Sequence, residues 1–395
     1  MRSSWFVRSC LMIMLLAAAL FAVRPMVTYR ALELGATTGQ IGLLAASYGM
    51  FSFAVAVPAG RWADRFGESR FMIAGAVLMG GMSAVLYFAG SLLVLALSQA
   101  VLGAAHILGL VALQKMVAGG GPSSEREGRF GFFSVFASLG QVLGPGMAGI
   151  IASSSGGSAR IVFLVSAVIM IFGVINATSL HLRPPPDMRR PDVGQGKPDG
   201  ILRSVVKVLS VRSMPQAMAA SITALVAIDL LVAYLPAYGE HYGIPVATVG
   251  ILLSVRAAAS GLSRIIMVRV IDRFGRKEVF IGSLLIPAVA LLALPFFPNV
   301  IVLAVVMTIV GFGTGFGQPM SISFVAGAAP PEVRGTALGV RLSGNRVGQV
   351  ILPALLGLIG GATGVGAVFV ALSVLMMGTS ALLTTADFDG PARQA

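Results

Sequence analysis

Twelve apolar runs of about 20 residues, separated by short polar or glycine-rich breaks, leave this chain one general solution. A helix rises 1.5 Å per residue, so such a run crosses the roughly 30 Å hydrocarbon core of a bilayer while satisfying its own backbone hydrogen bonds. The runs fall at 6–29, 40–59, 71–90, 93–117, 130–153, 161–180, 214–238, 248–268, 279–297, 300–327, 336–360 and 365–385. With 56% hydrophobic and 11% charged residues, the expected class is an all-α integral membrane protein of 12 transmembrane helices. The net charge of +13 sits in the breaks, which argues against a nucleic-acid-binding face and gives orientation instead. Arg2, Arg8, Arg61, Arg65, Arg70, Lys115, Arg126, Arg129, the cluster from Arg183 to Arg212, Arg269, Arg273, Arg276, Lys277, Arg334 and Arg393 share one side, while the other holds little beyond Arg30 and Arg160. Cationic loops stay in the cytoplasm, so both termini are expected there, in a multi-pass protein of the cell (inner) membrane. Met1–Ala19 also imitates a secretory signal ending at Ala17–Ala19, but the repeat described next requires it as the first helix. The single cysteine, Cys10, excludes an internal disulfide or a cysteine metal cluster.

The string ADRFG at Ala63–Gly67 returns as IDRFG at Ile271–Gly275, and Asp64 and Asp272 are 208 residues apart. Other residues obey the same offset without gaps. Gly35 maps to Gly243, Gly42 to Gly250, Arg61 to Arg269, Gly103 to Gly311, Gly109 to Gly317, Pro122 to Pro330, Arg126 to Arg334 and Gly131 to Gly339. GQVLGP at Gly140–Pro145 maps to GQVILP at Gly348–Pro353, and Gly149 maps to Gly357. The chain therefore divides into an N-terminal six-helix bundle (1–182), a proline-rich cytoplasmic linker (183–212) and a C-terminal six-helix bundle (213–395). Six spans per half with the same end inside make these parallel repeats, an architecture that places a central cavity between the halves.

The run Gly60-Arg61-Trp62-Ala63-Asp64-Arg65-Phe66-Gly67, its echo at Asp272-Arg273-Phe274-Gly275-Arg276-Lys277 and the six-plus-six layout resemble the major facilitator superfamily over nearly the whole chain. Glu68 and Ser69 stand where that family's motif has a basic pair, and Val268 replaces the leading glycine of the second copy. The resemblance implies a cytoplasmic latch: Gly60, Asp64, Arg65 and Gly67 would dock near Arg334, and Asp272, Arg273 and Gly275 near Arg126. A turn whose charges only fix topology is the simpler alternative. The fifth span, with Gly131, Gly140, Gly144, Pro145 and Gly149, is similar to the glycine-proline motif of the 12-helix drug/metabolite:proton antiporter branch. Small residues there permit close helix approach, and Pro145 permits a bend. Gln99 stands where proton antiporters of that branch carry an arginine.

A charge at the middle of a span costs at least about 2.5 kcal/mol on insertion scales, so it is expected to face a cavity or a partner. The deep charges are Arg24, Asp229, Arg256 and Arg346, whereas Arg341 and Arg264 lie nearer the span ends, within snorkelling reach of water. Asp229 and Arg256 fall at similar depth on consecutive spans, consistent with either a structural ion pair or one that exchanges a proton or substrate. His106 titrates near neutrality when accessible, or joins helices by a hydrogen bond. Tyr48, Gln141, Gln318, Asn345 and Gln349 supply neutral hydrogen-bonding groups. The excess of arginine over carboxylate predicts a cavity suited to an organic anion.

The chain has no H-E-x-x-H or G-x-S-x-G motif and no credible metal cluster among its three histidines, which argues against an enzyme. The expected function is secondary active transport of a small organic solute by alternating access: proton-coupled export of an amphiphilic or anionic metabolite. The proton gradient is the expected driving force; no cofactor or metal is expected. The partners are a small-molecule substrate and the lipid bilayer, and the family analogy suggests a monomer. The competing readings are a multidrug/proton antiporter for lipophilic cations, a proton-coupled organic-anion importer and a transport-inactive membrane receptor.

Overall fold

The computed structural model describes residues 4–120, 125–182, 208–211, 213–328 and 334–386. Twelve long helices occupy them. The first six are α1 (Ser4–Glu33), α2 (Thr38–Phe66), α3 (Glu68–Tyr87), α4 (Leu92–Gly119), α5 (Arg126–Ser154) and α6 (Ala159–Leu182). The second six are α7 (Met214–His241), α8 (Val246–Phe274), α9 (Arg276–Leu291), α10 (Val300–Ala328), α11 (Arg334–Thr363) and α12 (Val365–Thr384). All except α2 and α9 contain a described stretch long and apolar enough to cross a bilayer. The 208-residue offset reappears in where helices begin, since α2, α3, α4 and α5 start that distance before α8, α9, α10 and α11.

Local chemistry repeats at the same spacing. Ser91 accepts from the Val94 N–H ahead of α4, and Asn299 accepts from Ile301 N–H ahead of α10, each satisfying a backbone donor left over at a helix start. Gly67 and Gly275 precede α3 and α9 with φ of 91° and 90°, a left-handed conformation that side chains resist. The breaks after α2 and α8 are thus single glycines. Sequence periodicity ended those spans at 59 and 268, but both helices continue through the charged motif to Phe66 and Phe274. Charge marks where a helix leaves the apolar slab, whereas only backbone geometry ends it.

The chain forms two compact units, residues 1–193 with 232–254 and residues 194–231 with 255–395. In the first, α1 is central and packs on α4, α5 and α6, while α3 lies against α4 and α6. Ala17, Ala18 and Ala19, the residues that imitate a cleavage end, are buried on α1, where their small size admits α5. Arg30 fixes the other end of α1, donating from Nε and NH2 to Ala89 O at 3.1 and 2.8 Å and pairing with Glu33 at 2.6 Å. In the second unit α9 packs on α10 and α12, matching the pairing of α3 with α4 and α6.

Candidate functional site

In the first unit, three side chains from three helices converge. Arg24 of α1 is 5% exposed, and its guanidinium carbon lies 4.3 Å from the centre of the Tyr48 ring on α2. The face of that ring attracts a cation. The Tyr48 hydroxyl is 2.8 Å from Nδ1 of His106 on α4, so Tyr48 couples two residues that sequence depth alone selected separately. Gln99, also on α4, is buried, and its Oε1 has no hydrogen-bond partner among the described residues. Arg24 and Gln99 share a cavity of about 10 Å³ with Thr28, Leu44 and Val232, which is room for about one water.

In the second unit, Asp229 of α7 is 4% exposed and its Oδ2 accepts from Gln349 Nε2 of α11 at 2.5 Å. Gln349 Oε1 in turn accepts from Arg346 at 2.5 Å, so an amide links the predicted acid to a predicted arginine. Arg256 is buried in α8 of the same unit. One turn of α11 away, Asn345 Oδ1 accepts from Ser221 Oγ at 3.0 Å, and Gln318 Nε2 of α10 donates to Ser221 O at 2.8 Å. The reading of Arg341 as a snorkelling residue is corrected here. It is 3% exposed, with Nε donating to Ser321 Oγ at 2.8 Å and NH2 to Gln318 Oε1 at 2.6 Å, because polar groups on α10 offer a closer partner than water.

The glycine-proline motif has a definite packing role at three of its four glycines. A methyl at Gly144 would lie 2.5 Å from Ala18 O, one at Gly140 would strike Met14 O, and one at Gly149 would lie 2.8 Å from Val246 O of α8. Gly131 is the exception. A methyl there meets nothing within 4 Å among the described residues, so its expected packing role is not supported. Pro145 lies inside a continuous α5, and its carbonyl is the atom a methyl at Gly250 would strike. Beside it Ser254 Oγ donates to Val142 O at 2.6 Å, and Tyr234 OH donates to Thr38 O at 3.1 Å, so residues 232–254 are held to the first unit by hydrogen bonds as well as packing.

Of the latch residues, Gly67 and Gly275 are the helix breaks described above. Asp272 and Arg273 are exposed, with Arg273 lying 5.7 Å over the Phe274 ring. The side chains of Asp64, Arg65, Arg126 and Arg334, like the α2 position Gly60 and most of the linker 183–212, lie outside the described residues.

The repeat itself separates scaffold from chemistry. Gly103 and Gly311 press on the backbone oxygens of Tyr48 and Arg256, and Gly109 and Gly317 press on Leu16 and Ala224, each pair again 208 apart. The interacting polar residues break it. Arg24, His106, Gln318, Arg341 and Arg346 correspond to Val232, Thr314, Leu110, Phe133 and Ser138, and Asp229 to Phe21. Gln349, with Gln141 as its counterpart, keeps the repeat and so gives no such signal.

The Major Facilitator Superfamily matches residues 9–248 and 217–394 of this chain. The chain is 30% identical over 152 residues to a multi-drug resistance efflux pump PmrA homolog of Lactococcus lactis, covering 38% of this chain and 37% of that protein. It is 38% identical over 114 residues to a gentisate transporter of Corynebacterium glutamicum, covering 29% of this chain and 24% of that one. The matched stretches thus span less than half the length of these curated relatives. A crystal structure of the nucleoside transporter NupG superposes with a TM-score of 0.74 at 15% identity, over 98% of this chain and 100% of that chain, a likeness of fold alone. Family match and twelve-helix fold agree over nearly every residue, and the chain belongs to the major facilitator superfamily, a family of secondary transporters and not of enzymes.

Proposed function

We propose that the protein exports a small organic anion across the membrane by alternating access, with protons returning through Asp229. One observation carries the reading: among the described residues the buried charged side chains are five arginines, Arg24, Arg30, Arg129, Arg256 and Arg341, against one carboxylate, Asp229. An arginine-rich interior is complementary to carboxylate and repels an organic cation. The stretch shared with the gentisate transporter adds support, since gentisate is an organic anion. Asp229 is assigned the proton because it is the one buried carboxylate among the described residues, held by the Gln349 amide N–H.

The match to an efflux pump of multi-drug resistance favours a second reading, export of lipophilic cations. Thermal unfolding of the purified protein in detergent discriminates, because a ligand that binds only the native state raises its apparent stability. Benzoate and gentisate are expected to raise the midpoint, and tetraphenylphosphonium to leave it unchanged. Stabilisation by the phosphonium alone overturns the anion reading and establishes the other. The proposal carries with it the cytoplasmic placement of both termini, which reporter fusions at each end would test.

A further inference from the structure

The second unit carries two arginine clusters on α11, and they differ in charge balance. Arg346 is linked through Gln349 to Asp229, so its cluster contains its own anion. Arg341 is more deeply buried, at 3%, and its hydrogen bonds go to the hydroxyl of Ser321 and the amide and backbone oxygens of Gln318, all neutral. A guanidinium largely withdrawn from water and held, among the described residues, by neutral dipoles keeps a demand for negative charge. The two bonds also fix its orientation. Nε is committed to Ser321 and NH2 to Gln318, which leaves the NH1 group with no such partner among the described residues. Next to it on the same face of α11, one turn on, is Asn345, itself held by Ser221 and equally buried. A cation aimed by two supporting residues, beside a neutral amide, is the donor set that recognises a carboxylate.

Resting on the anion-export reading, we propose that Arg341 is the residue that anchors the substrate's carboxylate, with Gln318 and Ser321 as its positioning residues. Arg341 lies seven residues into a 30-residue helix, about 10 Å from its start by the rise per residue. The anchor therefore sits toward the end of the helix bundle where α11 begins, the side from which an exported anion enters if the linker is cytoplasmic. The counterpart of Arg341 in the other half is Phe133, so the site belongs to one half alone.

The test is titration of the full-length protein in detergent with benzoate and with the neutral benzamide, followed by calorimetry. Arg341→Gln is expected to weaken benzoate roughly 10- to 100-fold, the range of a charge-assisted hydrogen bond, and to leave benzamide unchanged. Arg341→Lys should recover part of the loss. Gln318→Glu guards against a variant that fails to fold: it places a carboxylate beside Arg341, so benzoate binding should disappear while the thermal midpoint rises. Wild-type affinity for benzoate in either Arg341→Gln or Gln318→Glu overturns the assignment and leaves anion transport standing. Failure of the wild-type protein to bind benzoate or any other carboxylate overturns both.

Discussion

At Tyr48 one side chain serves two partners of different kinds, its ring face meeting Arg24 and its hydroxyl meeting His106. The two can be separated by substitution. Tyr48→Phe keeps the ring and should lower stability by only about 0.5–1.5 kcal/mol, the net worth of one hydrogen bond. Tyr48→Ala removes the platform under a buried guanidinium as well and should cost several times more, read as thermal midpoints in detergent. Asp229→Asn is the corresponding test in the second unit. The asparagine oxygen still accepts from Gln349, so the fold should survive, yet the position can no longer release a proton. Substrate exchange between equal compartments should persist while accumulation driven by a pH gradient is lost. Accumulation at the wild-type level in Asp229→Asn would remove Asp229 from the coupling mechanism.

Among the helices, α5 depends most visibly on residues it lacks. Gly140 and Gly144 let its backbone close on Met14–Ala22 of α1, and Gly149 receives Val246 and Ala247. In lipid no hydrophobic drive separates or joins helices, so this fit is itself the adhesion. Gly144→Leu should therefore destabilise by at least about 1–3 kcal/mol through overpacking, whereas Gly131→Leu should be near neutral. Equal losses at the two positions would contradict the packing seen here. The glycines between helices act differently. Gly67→Ala introduces a side chain at φ 91°, and should lower stability by about 1–2 kcal/mol although among the described residues nothing lies within 4 Å of the added methyl.

Over the whole molecule, direction of transport is the property to measure. In inside-out vesicles an acidic lumen should drive the anion inward if protons leave in exchange, and an alkaline lumen should not. The reverse dependence would assign import. How far this could be read from residues alone varies with the kind of statement. Twelve helices and the duplication were legible because each follows from a local demand: an apolar run must satisfy its own backbone within the segment. Of the deep charges Arg24, Asp229 and Arg256 were legible as buried, since burial of an ion is costly enough to stand out in an apolar run, whereas Arg346 is only partly buried. Partners were not. Arg346 and Asp229 are 117 residues apart, and only the packing of α7 on α11 puts Gln349 between them. Arg341 read as a residue within reach of water because its depth along the helix was visible and its face was not. Rotation of α11 toward Gln318 and Ser321, a matter of side-chain fit between helices, buries it more deeply than Arg346. The sequence by itself determined a duplicated membrane bundle with an excess of buried arginine, because insertion into lipid is enforced segment by segment. Only the tertiary structure decided which arginine has a carboxylate to offset it, because that depends on which helix faces turn toward each other.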